Sequence, residues 1–304
     1  MPKRHKKTKK QKLYVLQFIL LGLIIVFAVI LVQFKPGSTS KTAPYRPVTT
    51  VPPDVPNFLK GNAPATPSGA LVTQPVRVPI LLYHYVEHVR DRGDTIRISL
   101  NILPEVFDAQ VKTLLDAGYT FITPSDLALV FDGKSILPQK PVILSFDDGY
   151  RDFYTDVFPI LKKYNVRAIE YVVTGFLDKP NNLKRPQLAE IIGSGLVEIG
   201  GHTVDHSALA SLSTDRMKFE IEQNKEDLEK EFHIHLVSFA YPYGSFDVRT
   251  LREVEQAGYK TAVTTLPGVD MKVKERYLLP RIRPGARTGR YLLDYLTQSK
   301  FTAF

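Results

Sequence analysis

Residues 142–150 read Val-Ile-Leu-Ser-Phe-Asp-Asp-Gly-Tyr, an apolar run that ends in two adjacent carboxylates, Asp147 and Asp148. A short run of apolar and β-branched residues is typical of a buried strand. Burying an unpaired ion is costly, so two acids at the end of such a strand need a compensating partner. Taken alone, the stretch could equally be a solvated turn in which Gly149 supplies a positive φ.

Similar apolar runs recur along the chain and alternate with amphipathic stretches of helical spacing. The predicted strands are residues 78–83, 142–146, 169–173, 197–199, 237–241 and 261–265. The long helix that follows residue 213 is expected to begin at a cap on Ser213 or Thr214, and the helix over 248–257 at a cap on Asp247. Alternating strands and helices predict an α/β fold with a parallel sheet, whose functional side chains gather at the carboxyl ends of the strands.

A histidine pair follows the strand predicted at 197–199, where residues 200–206 read Gly-Gly-His-Thr-Val-Asp-His. His202 and His206 are four apart, so one helical turn or a similar bend brings both imidazoles to one side. Two imidazoles and a carboxylate match the ligand set of hydrolytic zinc sites that keep a position for water. The same ligand types build the facial triad of non-haem iron oxygenases, although that triad has no use for a second adjacent acid.

The composition excludes several classes of protein. The 304 residues contain no cysteine, so disulfide scaffolds, thiolate zinc sites and cysteine nucleophiles are absent. The formal net charge is +9, but residues 1–12 hold seven Lys or Arg and no acid, which leaves +2 for the remainder. A near-neutral globular part does not indicate a nucleic-acid partner.

The amino-terminal quarter of the chain predicts a membrane anchor and a linker. Residues 13–34 carry no charge and would form a helix of about 33 Å, enough to cross a hydrocarbon core of roughly 30 Å. A cleavable signal peptide is the alternative, but the run exceeds its usual length and no small-x-small cleavage site follows. The lysines of 1–12 would then stay in the cytoplasm, placing the remainder outside a single-pass cell-membrane anchor. Residues 35–75 hold nine of the 22 prolines and predict a semi-rigid linker, followed by one domain over 76–304.

Three motifs resemble those of a known family. Residues 145–150 and 201–206 resemble the first two motifs of the polysaccharide deacetylases, carbohydrate esterase family 4, in the same order. Residues 239–244, Phe-Ala-Tyr-Pro-Tyr-Gly, resemble the third motif. The resemblance covers about 78–284 and implies a distorted (β/α) barrel of about seven strands.

The resemblance also implies roles for individual residues. Asp147 would be the general base, and Asp148, His202 and His206 would bind one divalent metal ion, with zinc expected ahead of cobalt, nickel or iron. The backbone N–H of Tyr243 would bind the oxyanion of the substrate. The implied enzyme is a metal-dependent hydrolase that removes N-acetyl groups from N-acetylglucosamine units of an extracellular or cell-wall polysaccharide. A deacetylase-like domain that binds glycans without catalysis and an O-acetyl esterase are the alternatives.

The chain departs from the commoner family pattern in two places. Ala240 stands where the family usually has an arginine that orients the base, and no histidine follows His235, where a late histidine usually supplies the general acid. A subgroup that resembles the poly-N-acetylglucosamine deacetylases carries an early Leu-Leu-Tyr-His instead, which residues 81–84 match. His84 is therefore expected to be the acid, against a structural histidine at the strand end. Arg281 is either the substitute for the missing arginine or an ordinary ion-pair residue.

Overall fold

The computed structural model describes residues 74–298 and 301. The predicted leader (1–12), anchor (13–34) and nearly all of the linker (35–75) lie outside the described residues. Within the described part of the chain, no helix has both the length and the apolar character needed to cross a membrane.

The described chain alternates strands and helices, as the sequence predicts. The strands are β1 (Val76–Arg77), β2 (Ile80–Tyr83), β3 (Tyr85–Val86), β4 (Asn101–Ile102), β5 (Thr120–Phe121), β6 (Pro141–Asp147), β7 (Ala168–Val172), β8 (Val197–Gly201), β9 (Ser238–Ala240), β10 (Thr261–Val263) and β11 (Asp270–Met271). The helices are α1 (Thr95–Leu100), α2 (Pro104–Asp116), α3 (Pro124–Phe131), α4 (Phe158–Tyr164), α5 (Arg185–Gly193), α6 (Thr214–Phe232), α7 (Val248–Gln256) and α8 (Gly289–Thr297). All six strands predicted from sequence are confirmed, with ends that move by at most two residues.

The main sheet is parallel, with the strand order β10-β9-β8-β7-β6-β2, and β5 also pairs with the start of β6. Two short pairs lie apart from it: β1 is antiparallel to β11, and β3 is parallel to β4. A parallel sheet covered by helices agrees with the predicted α/β fold. The carboxyl ends of its strands meet at one edge, which is where the motif residues lie.

Residues 279–282 connect the two outer strands of the sheet. On one side, the N–H of Leu279 donates to the carbonyl of Ala262 in β10 (2.9 Å). On the other, the N–H of Ile282 donates to the carbonyl of Ile80 in β2, and the N–H of Leu82 donates back to Ile282 (2.9 Å each). This closing segment, residues 279–282, therefore takes the seventh position around a curled sheet of six strands.

Alternate strand residues face two different apolar clusters. Ile80, Ile143, Ile169 and Val263 come from four strands and pack with one another, which identifies the inside of the curled sheet. Their neighbours in sequence, such as Leu81 and Val142, join a second cluster with buried residues of the covering helices, including Phe107 of α2 and Met217 of α6. Every second residue of a strand faces inward, and we call these side chains the inward series. At the carboxyl ends of the strands, the inward series reaches the mouth of the curled sheet.

Two predicted helix caps are present. The Ser213 hydroxyl accepts the N–H of Arg216 at the start of α6, and the Asp247 carboxylate accepts the N–H of Thr250 at the start of α7. Such caps satisfy N–H groups that have no partner inside the helix. The start of α6 matters most, because this helix supports one half of the site.

Candidate active site

Asp147 and Asp148 lie where β6 ends. The N–H of Asp148 donates to the carbonyl of Tyr171 in β7 (3.0 Å), which continues the sheet for one more residue. Asp148 then adopts a left-handed conformation with φ of 83°, and Gly149 follows with φ of 70°. The N–H of Gly149 donates to Oε1 of the buried Glu170 (2.8 Å). This turn separates the two carboxylates, so that neighbouring residues serve different partners.

Helix α6 supports the loop that carries the two histidines. Oδ1 of the buried Asn224 accepts the N–H of His202 (3.1 Å), and its Nδ2 donates to the carbonyl of Thr203 (2.6 Å). The carboxylate of Glu220, also buried, accepts the N–H groups of Val204 and Asp205 (2.9 Å each). The backbone of the loop after β8 is thus held by hydrogen bonds to polar side chains of α6 that are themselves fully buried.

Gly201, at the end of β8, has a steric reason to be glycine. A Cβ at this position would lie 2.1 Å from the hydroxyl of Tyr259 and 2.9 Å from Oδ1 of Asn224. Any larger residue would therefore push away the side chain that holds His202.

Asp148, His202 and His206 converge at the mouth of the sheet. Oδ1 of Asp148 lies 3.2 Å from Nε2 of His202 and 3.0 Å from Nε2 of His206. Donors held about 2.0–2.1 Å from one tetrahedral ion are separated by roughly 3.3 Å, so these spacings suit a zinc-sized cation. The three side chains could hold one divalent metal ion, as the sequence predicted.

The hydrogen-bond pattern of His202 supports the same conclusion. Its Nδ1 lies 2.7 Å from the carbonyl oxygen of Ala240, which can only accept, so Nδ1 carries a hydrogen and Nε2 is the nitrogen whose lone pair would bind a metal ion. Oδ1 of Asp148 is buried and accepts no hydrogen bond of good geometry from the described residues. A cation is the partner that a carboxylate oxygen and an imidazole lone pair can share, and the bond to Ala240 would fix the ring orientation.

Four residues of the site have left-handed backbone conformations without being glycine. They are Asp148 (φ 83°), Thr203 (φ 67°), His206 (φ 59°) and Tyr243 (φ 58°). Such conformations cost about 1–3 kcal/mol each and persist where the surroundings determine them. Their concentration at the strand ends marks this edge as the functional one.

Asp147 is paired with Arg281 from the closing segment. Nη1 and Nη2 of Arg281 each lie 2.7 Å from one carboxylate oxygen of Asp147. Both side chains are buried, and Nε of Arg281 donates to the carbonyl of Thr264 (2.9 Å). Burial opposes ionisation, but the Arg281 guanidinium outweighs it and lowers the pKa of Asp147. Of the two roles that the sequence left open for Arg281, the structure therefore shows the one that orients Asp147.

His84 lies beside Asp147 at the end of the neighbouring strand. Tyr83 pairs with Phe146 across β2 and β6, so His84 and Asp147 occupy the next level, and both continue the inward series of their strands. Burial lowers the pKa of His84, against the attraction of the Asp147 and Asp148 carboxylates. A neutral imidazole next to the base is in a position to exchange a proton with it.

Tyr243 lies at the rim of the site, beside His206. The residue is 70% exposed, and its ring centroid is 4.5 Å from that of His206. Across the part of the chain that the structure describes, no protein acceptor takes the backbone N–H of Tyr243. The N–H is therefore free to donate to a ligand oxygen.

Sequence reasoning missed the buried polar side chains that support the site. Glu170 interrupts an apolar strand, and Glu220 and Asn224 fall within the apolar stripe of α6 that Met217 and Ile221 define. An acid or amide at a position that periodicity assigns to the core is the signal that could have found them, because such a group needs a specific partner.

Comparisons with known proteins agree with this site. The sequence model of the polysaccharide deacetylase family matches residues 134–262. The chain is 31% identical over 224 residues to YxkH of Bacillus subtilis, a protein classed by name with the polysaccharide deacetylases, covering 72% of this chain and 77% of that one. It is 27% identical over 189 residues to the poly-β-1,6-N-acetyl-D-glucosamine N-deacetylase of Staphylococcus aureus, covering 58% and 65%.

Among solved structures, the deacetylase PplD of Streptococcus pyogenes in complex with acetate is similar, with 31% identity and a TM-score of 0.68. The match covers 74% of this chain and 99% of PplD. Sequence, fold and site geometry thus lead to one conclusion: this chain belongs to the polysaccharide deacetylase family of hydrolases.

Proposed function

We propose that the protein removes N-acetyl groups from N-acetylglucosamine units of a cell-wall or extracellular polysaccharide, and that it uses one divalent metal ion, zinc in the first place. The observation that carries the proposal is the pair of adjacent carboxylates with separate partners. Asp148 joins His202 and His206, while Asp147 is held by Arg281. A hydrolytic metal site needs both a ligand set with a free position and a base beside it.

Amide hydrolysis requires an activated water, support for a tetrahedral oxyanion and a proton for the leaving amine. The divalent ion would polarise the amide carbonyl and make the attacking water more acidic. Asp147, kept ionised by Arg281, accepts the proton of that water. The backbone N–H of Tyr243 donates to the oxyanion. His84 takes up the proton that Asp147 received and passes it to the sugar nitrogen as the C–N bond breaks, and the products are acetate and a glucosamine unit.

Arg281 weakens the case for a glycan-binding domain without catalysis. That alternative rests on two departures from the family pattern: Ala240 occupies the place of the arginine, and no histidine follows His235. The two contacts from Arg281 to Asp147 supply the missing interaction from another segment. A domain that only binds sugars gains nothing from a buried ionised acid beside a metal site, because the burial of such a charge costs stability.

The proposed location is the outer face of the cell membrane. The support is the uncharged run over 13–34 behind the basic leader over 1–12. In intact cells, added protease should then release the domain by cutting within the linker at 35–75. A soluble mature protein that begins near residue 36–40 would contradict the anchor.

The deciding experiment is acetate release from a panel of glycans, measured on chelated protein before and after zinc is added back. We expect release from N-acetylated oligosaccharides that depends on the metal. Release from O-acetylated substrates alone would identify an esterase. Tight glycan binding with no acetate from any substrate would favour the binding domain. Uptake of oxygen with 2-oxoglutarate would favour the iron oxygenase.

A further inference from the structure

Arg283 is a half-buried cation at the mouth of the site. Within residues 74–298, no carboxylate forms an ion pair with it and no protein acceptor takes a hydrogen bond from its guanidinium. Its neighbour two residues earlier, Arg281, gives both ends of its guanidinium to Asp147. Arg283 thus has the charge of a binding residue and no protein partner for it.

The closing segment sets the direction of Arg283. Ile282 pairs with Leu81 of β2 and belongs to the outer cluster under the helices. Residues on either side of it, Arg281 and Arg283, therefore face inward, with Arg283 nearer to the carboxyl ends of the strands. His84 lies on the neighbouring strand at this end of the sheet.

Electrostatics agrees with that placement. Burial lowers the pKa of Arg283, while the charge of Asp147 favours its protonated form. Arg283 in turn adds to the effect of burial in lowering the pKa of His84. The guanidinium is therefore close enough to the reacting groups to act on whatever binds between them.

The backbone beyond Arg283 is firmly held. Nε2 of the buried Gln110 donates to the carbonyls of Gly285 (2.7 Å) and Arg287 (2.9 Å). Oε1 of Gln110 accepts the hydroxyl hydrogen of Tyr83 (2.9 Å), next to His84 in sequence. A side chain whose backbone is fixed on both sides loses less conformational entropy when it binds a ligand.

We propose that Arg283 recognises an oxyanion on the glycan, a carboxylate or a phosphate within one sugar of the N-acetyl group that is removed. The proposal rests on the proposed deacetylase function and specifies its substrate class. A half-buried cation that forms no ion pair is costly, and an incoming anion would relieve that cost. Its planar fork of donors suits carboxylate and phosphate alike.

The test compares Arg283→Gln with the parent on three oligosaccharides of equal length. One is a neutral N-acetylglucosamine oligomer, one carries a carboxylate on the sugar next to the reacting unit, and one carries a phosphate there. We expect the parent to prefer one of the anionic substrates in kcat/KM, and Arg283→Gln to reduce that preference about 10- to 100-fold, the usual worth of a hydrogen bond to a charged group. Which anionic substrate is preferred separates the two sources.

The quantity to measure is the ratio of kcat/KM on the anionic substrate to kcat/KM on the neutral one, because a change in His84 would affect both substrates alike. Arg290→Gln is the matched control, since Arg290 is an exposed arginine of α8 and its loss changes the net charge equally. It should leave the ratio unchanged. Arg283→Lys keeps the charge and should retain a smaller preference, and added salt should weaken the preference of the parent.

A second measurement is independent of turnover. Calorimetry on metal-free protein should show tighter binding of the preferred anionic oligosaccharide than of the neutral one, and Arg283→Gln should abolish the difference. If acetate is released but the parent shows no anion preference, the Arg283 proposal is overturned while the deacetylase proposal stands. If the protein binds the anionic oligosaccharide more tightly but releases no acetate from any substrate, the Arg283 proposal stands and the deacetylase proposal is overturned.

Discussion

Arg281 reaches Asp147 across 134 residues of sequence and contacts both of its carboxylate oxygens at 2.7 Å. In the family pattern, the equivalent arginine would stand at Ala240, at the end of β9. Here it comes from the closing segment, on the opposite side of β10 from β9. A curled sheet permits this exchange, because any segment whose inward side chain reaches the mouth can orient the base.

Arg281→Met is expected to abolish acetate release and to lower the free energy of unfolding by about 3–5 kcal/mol, because it leaves the Asp147 charge buried without a partner. The double variant with Asp147→Asn should lose less stability than the two single variants together. Urea unfolding of chelated protein measures the stability of the single and double variants, and an acetate assay measures the activity. Unfolding of Arg281→Met at the same urea concentration as the parent would show that the pair contributes nothing.

The ligands and the base should separate in a metal assay. His202→Ala or His206→Ala should lose most bound metal and nearly all activity, whereas Asp147→Asn should keep the metal and still lose activity, because a base is not a ligand. Metal content after dialysis and acetate release are the two measurements. An Asp147→Asn protein that stays within a few-fold of parental activity would make the base assignment wrong.

His84→Ala should lower kcat on an N-acetyl sugar by about 10²–10⁴, the usual contribution of general acid catalysis, while metal content stays intact. His84→Asn should not restore activity, since an amide cannot deliver a proton at neutral pH. An ester with a good leaving group is the control and should be affected much less. Equal losses on both substrates would point to a structural role for His84.

Asn224→Ala should weaken metal affinity about 10- to 100-fold, in the range found when groups that orient metal ligands are removed. The reason is that Asn224 fixes both His202 and the left-handed Thr203. Gln223→Ala on the same helix is the matched control, because within the described residues the Gln223 side chain bonds only to Asp227. Competition with a coloured chelator measures the affinity, and equal values for the two variants would refute the support that we assign to α6.

Asp152 should make the stability of the metal-free protein depend on pH. Burial raises its pKa to about 6, and its Oδ2 accepts the N–H of Val86 (2.6 Å). An unfolded Asp loses its proton near pH 4, so between about pH 4 and 6 the folded state holds more protons. The free energy of unfolding therefore falls through that range and levels off above it, by up to roughly 3 kcal/mol.

Asp152→Asn keeps an acceptor oxygen for Val86 and removes the titration. Relative to the parent, it should gain stability as the pH rises from 4.5 to 7. Thermal unfolding of both chelated proteins across this range gives the difference directly. A difference that stays constant with pH would mean that Asp152 does not titrate there.

Local sequence patterns predicted the strands and the caps at Ser213 and Asp247, and the family motifs implied the grouping of Asp148, His202 and His206. Each of these depends on residues close in sequence or on a motif of fixed order. The partner of Asp147 was left open, because it depends on the pairing of the closing segment with β2 and β10. Glu170 and Asn224 were missed because the spacing of apolar residues predicts which face of a strand or helix is buried, but not which polar side chains are buried on that face.

The closing segment also bears on how the chain matures. Strand β2 is synthesised long before the closing segment that pairs with it. During most of the translation of the domain, one edge of β2 is therefore unpaired and Asp147 has no counter-ion. Contacts of such long sequence separation form slowly, and open edges invite pairing with other chains. A nascent chain stopped before residue 279 would already contain Asp148, His202 and His206 and yet lack Arg281, so Asp147 is held in place only once the closing segment has been made.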